Sequence, residues 1–294
     1  MILLRLFINI AALVILTGCV TTAPSSVHLQ REEPRWRSAT VPPVRGVALV
    51  VHGLNMRPSA MDPFCEFLGE LGLHSYRITL TGHNEPTTGV FDETVWVDDV
   101  IKAYKEVRAE FPHLPTYVVG YSLGGLLVTH ALDNLSMDTH PHALVLLAPA
   151  ISLRTPLALL AVGGLPPALS WSVPNIAPDL YRRYPITQLF WYSNTLTLSE
   201  KTQTLQHSQR LKEIPTLIAL NPADELISES GTTEWITLNN LSPEWRTFVI
   251  HKDTKSRHLP EHVSVDERSL GTAEWGRMKG TIGEFITRQS VARQ

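Results

Sequence analysis

The sequence predicts an α/β fold, a mainly parallel central sheet flanked by helices with a cap inserted between core strands. Three observations predict it. Short apolar runs of strand length alternate with stretches whose apolar residues recur at helical spacing. The runs are apolar throughout, as in strands covered on both faces, rather than alternating as in a sheet with one wet face. One long segment, about 151–214, breaks this rhythm and reads as the insertion. The 294 residues, 44% of them hydrophobic and 18% charged, suffice for one large core.

Taken in order, residues 47–51 (VALVV) form the first core run and end at His52-Gly53. Residues 61–71 place Phe64, Phe67, Leu68 and Leu71 on one helical face, with Cys65 among them as a small core residue. Residues 75–79 and 117–120 are the next strands, separated by a helix carrying Trp96, Val100, Tyr104 and Val107. Residues 143–148, 216–220 and 247–250 continue the series. A last helix shows Trp275, Met278, Ile282, Phe285 and Ile286. Ligands of such sheets bind beyond the carboxyl ends of the strands, so the residues just after each run matter most.

The insertion has no charged residue over 155–178, but prolines at 156, 166, 167, 174 and 178 and the Gly163-Gly164 pair would break any membrane-spanning helix there. It is expected to be a cap over an apolar pocket. The net charge of -3, without a Lys/Arg run, argues against a nucleic-acid partner.

Gly120-Tyr121-Ser122-Leu123-Gly124 is a G-x-S-x-G pattern standing between a strand and a helix that carries Leu126, Leu127 and Ala131. A tight strand-to-helix turn of this kind exposes the serine hydroxyl and tolerates only small neighbours, which makes Ser122 the candidate nucleophile. A serine hydroxyl near neutral pH needs a base to take its proton. The oxyanion that forms needs donors, expected from the N–H groups of Leu123 and of Leu54 in the loop after the first core strand. The acid should follow a later strand, where Asp224 stands in Asn221-Pro-Ala-Asp224; the adjacent Glu225 is expected to point elsewhere. Two histidines, His258 and His262, lie on the loop before the last helix, where the base belongs. Their four-residue spacing would suit a metal only on a helix, which Pro260 disfavours, so neither a metal nor a cofactor is expected. His52 is assigned to its turn, His83 to a turn that shapes the pocket rim, and His140 and His142 to a turn.

These motifs (His52-Gly-Leu54, Thr81-Gly-His83, the segment 96–100, Gly120 to Gly125 and Asn221 to Asp224) resemble bacterial carboxylesterases and monoacylglycerol lipases of the α/β-hydrolase superfamily. The resemblance runs over about 46–288 and is weakest across the cap. It implies the α/β-hydrolase fold and a Ser-His-Asp triad acting on a small-molecule ester or lipid through an acyl-enzyme. In such relatives the histidine is often followed by a short aliphatic stretch and an aspartate, a pattern that favours His262, with His258 as the alternative base. A thioesterase or acyltransferase would use the same residues, a serine peptidase would need an acid to receive a substrate amine, and a non-catalytic envelope binding protein would need none of them.

The first residues carry an address. Arg5 precedes an apolar run over 6–16 that matches a signal-peptide core. It ends in Leu16-Thr17-Gly18-Cys19, which resembles the lipobox of bacterial lipoproteins. The resemblance implies cleavage after residue 18, acylation of Cys19 and a membrane-held envelope protein. The residue after Cys19 is not aspartate, which favours the outer membrane. Residues 19–45 are expected to be a flexible tether and 46–294 the folded domain. Oligomeric state is not legible.

Overall fold

The structure is a computed structural model that describes residues 31–85, 89–133, 140–154, 172–204, 208–256 and 258–292. The signal segment, Cys19 and the cap residues 155–171 lie outside the described residues. The chain divides into two units, Met1–Arg31 and Glu32–Gln294. Among the described residues, no helix is long and apolar enough to cross a membrane.

The second unit is built on seven strands in the order β1 (Arg35–Arg37), β3 (Leu73–Arg77), β2 (Gly46–Val51), β4 (Thr116–Tyr121), β5 (Ala143–Leu147), β8 (Thr216–Leu220) and β9 (Trp245–Val249). All neighbours from β3 to β9 pair parallel; β1 alone is antiparallel. Strands β2, β4, β5 and β8 are buried along their whole length, as their unbroken apolar runs require. Helices α1 (Asp62–Glu70), α2 (Glu93–Glu110), α3 (Leu123–Asp133) and α8 (Thr272–Ala292) cover the sheet. Asp92 starts α2 by accepting the Thr94 N–H at 3.0 Å. The insertion contributes a two-stranded ribbon of β6 (Ser172–Pro174) and β7 (Ile186–Gln188), followed by α4 (Leu189–Gln203) and the short α5 (Ser208–Lys212). Strand β8 leads to α6 (Glu229–Leu238), and α7 (Glu267–Leu270) precedes α8.

Strand boundaries differ from expectation by one or two residues. The third strand begins at Leu73 rather than residue 75, and the last at Trp245 rather than 247. The larger correction concerns the tether: the folded unit begins at Glu32, so the segment 32–45 belongs to the domain instead of leading to it. Strand β1 runs down the edge of β3, with Arg35 opposite Arg77 and Arg37 opposite Ser75. Trp36 stacks on Tyr76 with ring centroids 4.4 Å apart. Arg37 lies 3.0 Å from Asp62, the same carboxylate that meets the buried Arg77 at 2.8 Å. Glu32 accepts the Ser59 hydroxyl at 2.8 Å. A three-residue edge strand with charges on both sides of one tryptophan carries no apolar period, so nothing local announces it.

Candidate active site

The carboxyl ends of β2, β4 and β8 converge on one rim, and each delivers one part of the site. From β4 the chain turns at Ser122 directly into α3. Ser122 has φ of 52°, a left-handed conformation that a residue with a Cβ adopts only when its surroundings impose it. They do: its N–H is held by the Leu147 carbonyl at 2.9 Å, and its own carbonyl accepts the Ala150 N–H at 3.0 Å. The flanking glycines are a matter of space. A Cβ at Gly124 would stand 2.3 Å from the Val51 carbonyl oxygen, and one at Gly120 would stand 2.7 Å from the Gly125 Cα.

Asp224 follows β8 and is buried. Its Oδ1 accepts the N–H groups of Leu226 at 2.7 Å and Ile227 at 2.9 Å. Its Oδ2 faces His262 Nδ1 at 2.8 Å. Burial opposes the charge, but the His262 imidazole and these donors outweigh it and hold the carboxyl below its ordinary range. On its other side, His262 Nε2 lies 2.9 Å from Ser122 Oγ. Ser122, His262 and Asp224 therefore form one continuous hydrogen-bonded line. His258 is exposed on the preceding part of the same loop.

Residues with no local sequence signal hold the histidine. Glu225, beside the acid, accepts the N–H groups of Glu261 at 2.7 Å and His262 at 2.9 Å. Asn221 donates to the Glu261 carboxylate at 2.8 Å, and the Tyr121 hydroxyl donates to the His262 carbonyl at 3.0 Å. Only the position of Glu225 next to Asp224 could have pointed to it; its partners are 36 and 37 residues away.

The loop after β2 carries Leu54, whose N–H is the second expected oxyanion donor. A planar trans peptide points its C=O and N–H in opposite directions, so fixing the Gly53 carbonyl fixes the Leu54 N–H. That carbonyl faces His52 Nδ1 at 2.9 Å and accepts the Met56 N–H at 3.3 Å. The loop is pressed on the elbow: a Cβ at Gly53 would stand 2.9 Å from the Tyr121 ring. Among the described residues, neither the Leu54 nor the Leu123 N–H donates a hydrogen bond, which leaves both available to a ligand.

His52 and His83 lie under this loop, both fully buried. The His83 ring is enclosed, stacked on Trp191 with centroids 4.5 Å apart. Each acts as an acceptor: His52 Nε2 takes the Leu80 N–H at 3.1 Å, and His83 Nε2 takes the Asn55 N–H at 2.9 Å. Burial pushes His52 down to about 3 and His83 well below its ordinary value. Above the unfolded histidine value of about 6.5 both states are neutral and these groups contribute no pH dependence. Below it the unfolded chain takes up protons that the folded one refuses, so stability falls with pH. Each buried histidine should cost on the order of 1 kcal/mol per pH unit in that window. Urea midpoints measured at pH 7, 6 and 5 should drop already between 6.5 and 5; a flat profile there would refute the neutral pair.

A family model described as serine aminopeptidase, S33 matches residues 42–243. Among curated proteins, a monoglyceride lipase homolog of monkeypox virus is 23% identical over 246 residues, covering 74% of this chain and 86% of that protein. Among solved structures, a soluble variant of monoglyceride lipase from Saccharomyces cerevisiae aligns with a TM-score of 0.69 at 13% identity, covering 92% of this chain and 96% of its own. The monoacylglycerol lipase of Paleococcus ferrophilus aligns with a TM-score of 0.63 at 17% identity, covering 87% and 98%. At these identities the structural likeness is one of fold.

Proposed function

Since the chain belongs to the serine aminopeptidase S33 family of hydrolases and has the α/β-hydrolase fold, we propose that it is a serine ester hydrolase of the carboxylesterase, monoacylglycerol lipase or lysophospholipase kind. The observation that carries this reading is the line from Ser122 through His262 to Asp224, set beside two undirected N–H groups. His262 Nε2 takes the Ser122 proton as Oγ attacks the ester carbonyl, and the Leu54 and Leu123 N–H groups receive the oxyanion. The bond to the alcohol then breaks, and the alcohol leaves with the proton from His262. Water, deprotonated by the same imidazole, attacks the acyl-enzyme and releases the acid. Asp224 stays ionised throughout and keeps Nδ1 protonated.

Esters are favoured over peptides because the acids beside the triad are engaged. Glu225 receives two backbone N–H groups, Glu261 receives Asn221, and Asp266 receives Tyr181 and Ser269. These contacts tie the carboxylates into the framework that holds the triad. The charge-free segment 155–178 suits an acyl chain. Profiling p-nitrophenyl esters of increasing chain length should give turnover that is best for short to medium chains. No turnover at any length sinks the reading, and faster cleavage of acyl-thioesters would move it to a thioesterase.

The anchor belongs to the same proposal. Acylation of Cys19 would hold the enzyme on a membrane of the bacterial envelope, the outer one on the lipobox reading, since each buried methylene contributes about 0.8 kcal/mol. Labelled palmitate should be incorporated in growing cells and lost in Cys19→Ala; incorporation surviving that change refutes the anchor.

A further inference from the structure

We propose that Asn55 is a positioning residue through which the cap sets the geometry of the Leu54 N–H. The inference rests on the esterase reading of the site and adds to it a side chain that touches no substrate atom.

Leu54 sits between two peptide groups, and both are pinned. The one before it is fixed by His52 through the Gly53 carbonyl, and the one after it by His83 through the Asn55 N–H. These anchors come from the core. Asn55 adds an anchor of different origin. Its φ of 47° places it in the left-handed region that asparagine tolerates better than most residues. Its side chain is buried and turned away from the core, into the insertion.

There a single segment, 181–187, saturates it. Asn55 Oδ1 accepts the Tyr184 N–H at 2.8 Å, and the Asn55 carbonyl accepts the Arg183 N–H at 2.8 Å. Asn55 Nδ2 is shared among the Thr187 hydroxyl at 2.6 Å and the carbonyls of Tyr184 and Ile186, both at 3.1 Å. The contact continues along the chain, where the Arg57 N–H donates to the Tyr181 carbonyl at 2.7 Å. The same segment reaches the other parts of the site. The Tyr184 hydroxyl donates to Gly82 at 2.9 Å, next to His83, and the Tyr181 hydroxyl donates to Asp266 at 3.0 Å, just past the His262 loop.

An amide needed only for folding could take its partners from anywhere. This one takes them all from the cap, while its backbone carries the peptide adjoining the oxyanion donor. A buried, fully paired amide resists displacement, because any shift leaves polar groups unpaired. An oxyanion donor displaced by a fraction of an ångström loses much of its effect, since preorganisation is what makes it effective. The cap is therefore part of the catalytic geometry.

Asn55→Gly tests this, because glycine keeps the left-handed backbone and the N–H to His83 while deleting the amide. In protein that circular dichroism shows to be folded, kcat for a p-nitrophenyl ester should fall about 10- to 100-fold. KM should stay within about twofold, and phosphonylation of Ser122 by a fluorophosphonate should slow by the same factor as kcat. A merely structural amide would change the melting temperature and leave this split alone. Thr187→Val, which removes the shortest partner while keeping its shape, should lower kcat several-fold and decides the matter if Asn55→Gly does not fold. Unchanged kcat in either folded variant, or a loss confined to KM, overturns the proposal. Wild-type protein that neither cleaves esters nor takes up the fluorophosphonate overturns the esterase reading, and this inference with it.

Discussion

Ser122→Ala should abolish labelling by a fluorophosphonate and lower kcat for ester hydrolysis on the order of 10^4- to 10^6-fold. The expectation follows from the site's construction. The Oγ–H donates to His262 Nε2 at 2.9 Å and the residue sits at the start of α3, where the chain has no freedom to present another nucleophile. A left-handed φ of 52° at a residue with a Cβ costs on the order of 1–3 kcal/mol, which the hydrogen bonds to Leu147 and Ala150 sustain. Alanine keeps that strain and glycine releases it. Ser122→Gly should therefore be as inactive as Ser122→Ala but melt at a higher temperature. Loss of activity together with a lower melting temperature in both variants would mean that Ser122 serves the fold first. Activity within tenfold of wild type in either would remove it as the nucleophile.

What the sequence made legible, and what it hid, divides along the reach of the contacts involved. The four buried strands were readable because a strand covered on both faces must be apolar along its length, as 47–51 and 143–147 are. The elbow was readable because its constraint is local. Gly120 and Gly124 are forced by backbone approaching within 3 Å of where a Cβ would be, and Gly125 by the Pro149 Cβ at 2.8 Å, so the glycine spacing between a strand and a helix marks the turn. Asp224 was readable as a candidate because it stands just beyond the carboxyl end of a strand. Strand β1 was not, since two arginines on either side of Trp36 find their carboxylate, Asp62, only after the chain has folded. Asn55 is a loop asparagine until its partners, about 130 residues away, are brought to it. The enclosure of the His83 ring was hidden for a related reason. Its turn carries no sign of its partner, Trp191, which an insertion more than a hundred residues later in the chain brings against the ring.

The choice between His258 and His262 is the second large effect, and it lies between the two cases, because the loop from β9 to α7 leaves either histidine within reach of the rim in sequence terms. His262→Ala should reduce kcat on the order of 10^4- to 10^6-fold, and His258→Ala should leave it within about twofold. His262 faces Ser122 and Asp224 from opposite ring nitrogens, and its main chain is held on both sides by Glu225 and Tyr121. His258 is exposed four residues earlier, across Pro260. Asp224→Asn separates orientation from charge. It keeps the shape but offers an amide where Nδ1 needs an acceptor, turns the imidazole into the wrong tautomer and should cost on the order of 10^4-fold. The full loss in His258→Ala with His262→Ala still active would require the loop to rearrange before catalysis, breaking the contacts of Glu225 and Tyr121. Equal partial losses would mean that the two histidines exchange the role. Only a loss confined to His262, matched by slow phosphonylation of Ser122 in that variant, agrees with a base already aligned in the resting enzyme.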